Sequence, residues 1–176
     1  KNKLLGLVGL KDVSSYFIDG DFIFLNTSYD NILDAIEGAE VLRFNEEIKG
    51  NIVVASYRST TFLNNIDLHK DTILIVGDRH RILEYAVNSG VKMIIVVGNG
   101  EIKEEHLLIA KKNRVNIIRT KYDTFHTAKT INLSNYIEEL LITTDPIKFD
   151  ENDYLSDFIE VNNQYKHTNY PIVDKK

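Results

Sequence analysis

The 176-residue sequence has no cysteine, and its basic residues do not outnumber its acidic ones. Without cysteine the chain forms neither a disulfide framework nor a thiolate metal site, which fits a reducing cytosol. Twenty-one Lys and Arg stand against 26 Asp and Glu, which leaves a net charge of −5. A basic surface that neutralises nucleic-acid phosphates or an anionic membrane is therefore not expected.

Long apolar runs are absent as well. No stretch approaches the roughly 20 apolar residues that cross a bilayer, and the first residues lack the apolar stretch of a signal peptide. The chain is 43% hydrophobic and 27% charged, the composition of an ordinary soluble domain. We expect a cytoplasmic protein with neither a membrane nor a nucleic acid as partner.

The middle of the sequence alternates between strand and helix patterns. Continuous β-branched runs, typical of strands buried on both faces of a parallel sheet, occupy residues 51–56, 72–77, 92–97 and 115–120. Helical patterns lie between them at residues 81–90, which close with Gly90, and at residues 104–114, which carry acids first and bases last. The pattern predicts an α/β domain with a mostly parallel sheet over residues 21–132.

The two flanks follow a different pattern. On the N-terminal side, "LLGLVGL" (residues 4–10) predicts a strand that runs into a helix beginning near Val13. On the C-terminal side, "DPIKF" predicts an extended stretch, "DYLSDFIEVNN" a helix and "YPIVD" a final strand. The flanks are therefore not continuations of the α/β repeat.

These flanks resemble a known family. "DPIKF", "DYLSDFIEVNN" and "YPIVD" look like the first half of a CBS repeat, of the βαββα type, and "KNKLLGLVGLKDV" looks like the second half. In the chain the two halves are separated by the α/β segment. The resemblance implies that residues 1–20 are the end of one CBS repeat and residues 133–176 the start of the next, and that both termini are cuts.

The central segment resembles a DRTGG domain, in which an Asp-Arg pair follows one strand and Thr-Gly-Gly follows the next. Asp78 and Arg79 match the first motif, whereas Val97, Gly98 and Asn99 stand in place of the second. The expected fold class is thus α/β, with a central DRTGG-type domain flanked by partial CBS repeats. The departure at the second motif puts a ligand role of that motif in doubt.

The order CBS, DRTGG, CBS resembles the regulatory insert of family II inorganic pyrophosphatases. The resemblance implies a homodimer regulated by AMP, ADP or a diadenosine polyphosphate such as diadenosine tetraphosphate. It also implies partner catalytic domains that hold manganese or cobalt and lie outside this sequence. Two alternatives stay open, namely a sensor module of a transcription regulator or another metabolic enzyme, and a dimerisation module that has lost its ligand.

The same resemblance implies a set of nucleotide-binding residues in the CBS clefts: Gly9, Lys11, Asp12, Thr144, Pro146, Tyr170 and Pro171. Asp12 has the two acceptor oxygens that suit a ribose diol, and it also suits the N-cap of the following helix. Gly9 stands where the family has a Ser or Thr that contacts phosphate. Lys11 is a substitute phosphate contact or a surface lysine.

The C-terminal candidates have two interpretations each. Tyr170, followed by Pro171, either borders an adenine or is a rim aromatic over the half-core. Thr144 and Pro146 either line the cleft through their backbone or form a plain turn. Lys166 and His167 either meet phosphate charge or belong to a solvated loop.

Polar residues also follow three strands of the central domain: Arg58, Ser59, Thr60, Asp78, Arg79, Tyr122 and Thr124. Open α/β sheets bind ligands at the carboxyl edge where such residues gather. A structural role is the alternative, since Asp123 or Thr124 can cap a helix and Asp78 can pair with Arg79. A homodimer contact through this edge is the third interpretation.

No catalytic motif is present in the sequence. The five histidines are scattered without a metal-binding spacing, and there is neither a P-loop nor a nucleophile motif. We therefore predict that this chain alone does not hydrolyse pyrophosphate. Phosphate release with added manganese or cobalt should match the buffer blank, and turnover that copurifies with the protein would contradict the prediction.

Overall fold

The computed structural model describes residues 4–10, 13–14, 23–56, 59–140 and 146–174. The chain divides into two compact units. One combines the two ends of the chain, Lys1–Ile18 and Leu140–Lys176, and the other is the continuous segment Asp19–Glu139. We call them the terminal unit and the central unit.

The central unit is built on a six-stranded sheet with the order β1-β3-β4-β5-β6-β2. The four inner strands, β3 to β6, are parallel, and β1 and β2 pair antiparallel at the two edges. The strands are β1 (Phe24–Ser28), β2 (Ala39–Leu42), β3 (Glu47–Val54), β4 (Thr72–Val76), β5 (Met93–Val96) and β6 (Asn116–Arg119). The predicted α/β class with a mostly parallel sheet is confirmed.

Five helices pack against the two faces of this sheet. They are α1 (Tyr29–Ala35), α2 (Ser59–Asn65), α3 (His80–Ser89), α4 (Glu104–Asn113) and α5 (Thr124–Ile131). Buried side chains of α2, α3 and α4 join one core cluster, and those of α1 and α5 join the other. The central unit is therefore a three-layer α/β/α arrangement.

The cores form because β4 and β5 are buried at every position. Their side chains alternate between the clusters, so that Leu74 and Val76 face α3 while Ile73 and Ile75 face the opposite layer. Burial of one such side chain stabilises the fold by about 1.5 to 3 kcal/mol relative to its exposure. Burial on both faces also explains the continuous β-branched runs in the sequence.

The helix ends follow the local chemistry of the sequence. Gly90 ends α3 in the left-handed conformation with φ of 65°, as the sequence predicts. Helix α4 begins with two glutamates and carries two lysines in its last turn, which complements the helix dipole. Of the two possible caps of α5, Asp123 and Thr124, Asp123 is the N-cap. Its carboxylate accepts the His126 amide at 2.8 Å.

Asn116 ties the sheet to the loop that precedes β3. Its side chain is fully buried, and its Oδ1 accepts the backbone amides of Phe44 and Asn45 at 2.8 and 3.1 Å. Its Nδ2 donates to the Asn45 Oδ1 at 3.0 Å and to the Lys92 carbonyl at 2.7 Å. All four hydrogen bonds of this amide are thus made inside the protein.

The terminal unit contains two short strands and a helix, β7 (Phe149–Asp150), α6 (Leu155–Tyr165) and β8 (Ile172–Val173). They match the predicted order of extended stretch, helix and strand. The strand predicted over residues 4–10 is wrong, because residues 4–9 have no regular secondary structure and Leu10 is already helical. Gly6 and Gly9 weaken a strand, and a strand forms only where a neighbour completes its hydrogen bonds.

The N-terminal helix also begins earlier than the sequence suggests. The Gly9 carbonyl accepts the Val13 amide at 3.2 Å, a helical bond between residues four apart. In the described part of the chain, no helix combines the length and the apolar character needed to cross a bilayer.

We predict that Asn116→Ala lowers the free energy of unfolding by about 2 to 4 kcal/mol, because the half-buried Phe44 and Asn45 lose the acceptor of their amides and a fully buried side chain is truncated. Urea unfolding followed by circular dichroism measures the change. The matched control is Asn88→Ala, since Asn88 is exposed and makes one bond to the carbonyl of Glu84. Equal effects of the two substitutions would contradict the assigned role of Asn116.

Candidate functional site

The terminal unit presents a parallel β-strand pair joined by a helix. Phe149 lies opposite Ile172 and Asp150 opposite Val173, and the Phe149 amide donates to the Pro171 carbonyl at 3.0 Å. Helix α6 forms the connection between the two strands. The predicted cleft-lining residue Pro171 thus acts through its backbone and fixes the start of β8.

Three aromatic rings form the small core beside this pair. The rings of Phe149, Phe158 and Tyr170 lie 5.3 to 5.4 Å apart between centroids. The Tyr170 hydroxyl donates to the Asn162 Oδ1 at 3.2 Å and accepts the His167 amide at 3.3 Å. These contacts hold the half-buried Tyr170 at the rim of the core, and its contact with an adenine stays a prediction.

A cavity of about 360 Å³ opens next to this core. Its lining combines an apolar part, Phe149, Tyr154, Leu155, Phe158 and Ile172, with the carboxylates Asp150, Glu151 and Asp153. Asp153 accepts the Asp150 amide at 2.7 Å, and the Asp150 Oδ1 accepts the Asn152 amide at 3.1 Å. The two aspartates therefore shape the turn before α6.

This cavity has the chemistry of a site for an uncharged ring system. Its apolar walls favour a flat hydrophobic group, while the three carboxylates repel anions. Phosphate groups are accordingly disfavoured at this position. The sequence did not indicate the cavity, because its carboxylates belong to a turn motif that is common at helix starts.

The structure describes four of the seven predicted nucleotide-binding residues. Gly9 is exposed before the N-terminal helix and Pro146 is buried, while Tyr170 and Pro171 have the positions given above. Neither Tyr170 nor Pro171 lines the cavity next to α6. The remaining three residues, Lys11, Asp12 and Thr144, lie outside the described residues.

The carboxyl edge of the central sheet carries the second candidate site. After β5, Gly98 and Asn99 have φ of 64° and 53°, and the Gly100 amide donates to the Val97 carbonyl at 3.2 Å. Two successive positive φ angles closed by this bond define a type I′ turn. The turn is docked to the next loop, because the amides of Gly98 and Asn99 donate to the carbonyls of Tyr122 and Thr120 at 2.8 and 3.0 Å.

This geometry explains the departure from the Thr-Gly-Gly motif. Asn99 stands where the family has a glycine, and asparagine tolerates the left-handed conformation better than other non-glycine residues. Val97 is 5% exposed and packs in the core, so the hydroxyl is replaced by an apolar group in an apolar site. Gly100 is tightly packed, because a Cβ there would lie 3.0 Å from a Val96 methyl and 3.3 Å from the Val97 carbonyl oxygen.

Other predicted edge residues have mainly structural contacts. An Asp78 carboxylate oxygen lies 3.5 Å from the His80 Nε2, and the pair of Asp78 with Arg79 stays a prediction. Tyr122 and Lys121 hydrogen bond to Glu37, which lowers the pKa of the Glu37 carboxyl and raises that of the Tyr122 phenol. The Tyr122 ring also lies 4.1 Å from that of His126.

The remaining edge residues are Ser59, Thr60 and Thr124, and Arg58 lies outside the described residues. Ser59 and Thr124 are half-buried first residues of α2 and α5, and Thr60 is exposed. Among the described residues, no group of three His, Cys, Asp or Glu is placed to hold a metal ion.

Comparison with known proteins finds a domain family and relatives that are inorganic pyrophosphatases. The DRTGG domain model matches residues 20–134. The chain is 29% identical over 181 residues to the cobalt-dependent inorganic pyrophosphatase of Clostridium perfringens, covering 99% of this chain and 32% of that protein. It is 25% identical over 140 residues to a probable manganese-dependent inorganic pyrophosphatase of Thermotoga maritima, covering 76% of this chain and 25% of the relative. The chain thus spans a third or less of these relatives.

A solved structure matches over the same length. It contains the CBS and DRTGG domains of the regulatory region of the Clostridium perfringens pyrophosphatase, complexed with the activator diadenosine tetraphosphate. The likeness has a TM-score of 0.81 at 26% identity and covers 99% of this chain and 77% of that chain.

The fold and these matches define a class, the three-layer α/β domains of the DRTGG type. The chain belongs to the DRTGG domain family, and it is homologous to the regulatory region of the Clostridium perfringens pyrophosphatase. The resemblance found in the sequence is confirmed. The boundaries assigned to the flanking CBS repeats stay a prediction.

We predict that Asn99→Gly leaves stability nearly unchanged, whereas Asn99→Val lowers the free energy of unfolding by about 1 to 2 kcal/mol, since valine is strained at positive φ. Thermal and urea unfolding measure both variants. The control is Asn64→Val, because Asn64 is an exposed residue of α2. A valine at 99 that is tolerated as well as one at 64 would argue against the turn assignment.

Proposed function

We propose that this chain is the adenine-nucleotide-binding regulatory region of an inorganic pyrophosphatase. The observation that carries the proposal is the match of 99% of this chain to a solved pyrophosphatase regulatory region in complex with a diadenosine nucleotide. The two pyrophosphatase relatives extend well beyond the matched region. By this proposal, catalytic domains attached to this chain carry out the hydrolysis of pyrophosphate. These catalytic domains hold manganese or cobalt.

The terminal unit is the proposed nucleotide-binding part. The cavity beside α6 carries three carboxylates that disfavour phosphate. The phosphates of the nucleotide are therefore proposed to bind elsewhere on this unit. We propose that the nucleotide binds at the residues that the CBS resemblance implies, with Tyr170 and Pro171 near the base. Thr144 and Pro146 contribute backbone contacts, Asp12 receives the ribose hydroxyls, and Gly9 and Lys11 approach the phosphates.

The nucleotide acts by differential binding. A ligand shifts two packings of a protein only as far as it binds one packing more tightly than the other. We propose that the two packings are arrangements of CBS modules in a homodimer. Exposed apolar side chains of the terminal unit support such association, since Leu155, Ile159 and Ile172 are 72%, 51% and 61% exposed. By the same proposal the protein is cytoplasmic.

We predict that Asp12→Ala in the full-length protein weakens binding of AMP, ADP or diadenosine tetraphosphate by about tenfold or more. The substitution removes one or two hydrogen bonds to a charged acceptor, each contributing roughly 1.5 to 3 kcal/mol. Titration calorimetry measures the affinity, and thermal melts accompany it. Tyr170→Ala should also weaken binding if the ring borders the base.

Two substitutions separate binding from structure. Asp12→Asn keeps the size of the side chain and its ability to accept a hydrogen bond but loses the charge, so it should retain stability and still bind nucleotide more weakly. Tyr170→Phe keeps the ring but loses the bonds to Asn162 and His167, so it should cost stability more than affinity. An Asp12→Ala variant that melts several degrees lower and binds nucleotide like the parent would contradict the ribose assignment.

A further inference from the structure

Two histidines meet where helices α3 and α4 begin. His80 is the first residue of α3 and His106 is the third residue of α4, and these helices pack against each other. Their ring centroids lie 6.0 Å apart with an interplanar angle of 42°. They are separated by 25 residues of sequence, so the sheet topology brings them together.

Both rings have a buried nitrogen that makes no hydrogen bond to any residue that the structure describes. The Nδ1 atoms of His80 and His106 are inaccessible to solvent and make no hydrogen bond among the described residues, and His106 is only 4% exposed. A neutral imidazole with its proton on Nε2 leaves Nδ1 as an acceptor. Protonation turns Nδ1 into a buried donor with nothing to accept its proton, which costs free energy in addition to burial of the charge.

The surrounding charges do not offset this cost. The nearest carboxylate, Glu105, lies 3.8 Å from the His106 Nε2 but has a side chain that is 66% exposed. Glu84 of α3 also attracts a proton to His106, while Lys103 and His80 oppose it. Asp78 faces His80 at 3.5 Å with 63% exposure. The positive ends of α3 and α4 both oppose an imidazolium at this place.

We propose that the His80–His106 contact is a proton-sensitive joint between α3 and α4, closed while the buried His106 ring is neutral and opened when acidification protonates that ring. Opening separates the first turns of the two helices at the carboxyl edge of the sheet. The loops after β4 and β5, including the type I′ turn at Gly98, lie at that edge and lose their support. The inference does not depend on nucleotide binding.

The sign of the pH dependence follows from the buried state. Burial, the largest cause, lowers the pKa of His106 in the folded protein, whereas an unfolded histidine titrates near its usual value of about 6.5. The stability that the neutral His106 contributes is therefore complete above about pH 6.5. It is lost as the pH falls from there toward the pKa of His106 in the folded protein. Through this interval one histidine changes the folding equilibrium constant by up to about tenfold per pH unit.

The test is urea unfolding of the chain between pH 5 and 8, for the parent and two variants. His106→Leu fills the site without a titrating group. Acidification over this range should therefore lower the folding equilibrium constant of the parent by about tenfold more than that of the variant. His69→Gln is the matched control, because His69 is exposed, and it should retain the parent's pH dependence. Equal pH dependence of the parent and His106→Leu would overturn the proposal.

A local measurement covers the case in which His106→Leu does not fold. Histidine Cε1 proton resonances of the parent report the titration of each ring, and amide hydrogen exchange reports the opening of the helix ends. We expect His106 to titrate below its usual range and the first turns of α3 and α4 to lose protection as it does. A His106 that titrates normally, or helix ends whose opening does not change with that titration, would overturn the proposal.

Discussion

The burial of β4 and β5 on both faces is the constraint on which the central unit depends. A parallel strand pair without a solvent-facing side requires a helical layer above and below it. Helices α3 and α4 provide one layer, while α1 and α5 provide the other. Parallel pairing then places the loops after all four inner strands at one edge, so that the type I′ turn and the His80–His106 contact follow from the same constraint.

The polar groups at the borders of the sheet are held by specific contacts. Asn116 satisfies backbone groups of the segment between β2 and β3 and of the segment before β5. Thr120, buried after β6, donates its hydroxyl to the Ile36 carbonyl at 2.7 Å. Such fully bonded buried groups specify one arrangement, since any shift in register leaves a donor or acceptor without a partner.

The sequence predicted the inner strands and the helices α3 and α4, because the β-branched runs, Gly90 and the charges of α4 are local signals. It did not predict α2, which lies between β3 and β4. It did not predict the antiparallel edge strands β1 and β2, which are short and partly exposed. It misassigned residues 4–10, since their apolar pattern alone does not supply a partner strand. The contacts of Asn116, and the contact between His80 and His106, depend on which strands and helices become neighbours in the fold. No spacing in the sequence indicates them.

By the proposed function, this region transmits nucleotide occupancy to a pyrophosphatase. The decisive measurement is the steady-state pyrophosphatase rate of the full-length protein with and without diadenosine tetraphosphate. The same two rates are measured for a protein from which this region has been deleted. We expect the nucleotide to change the rate of the full-length protein and to leave the rate of the deletion protein unchanged. A full-length rate that is the same with and without AMP, ADP and diadenosine tetraphosphate would contradict it.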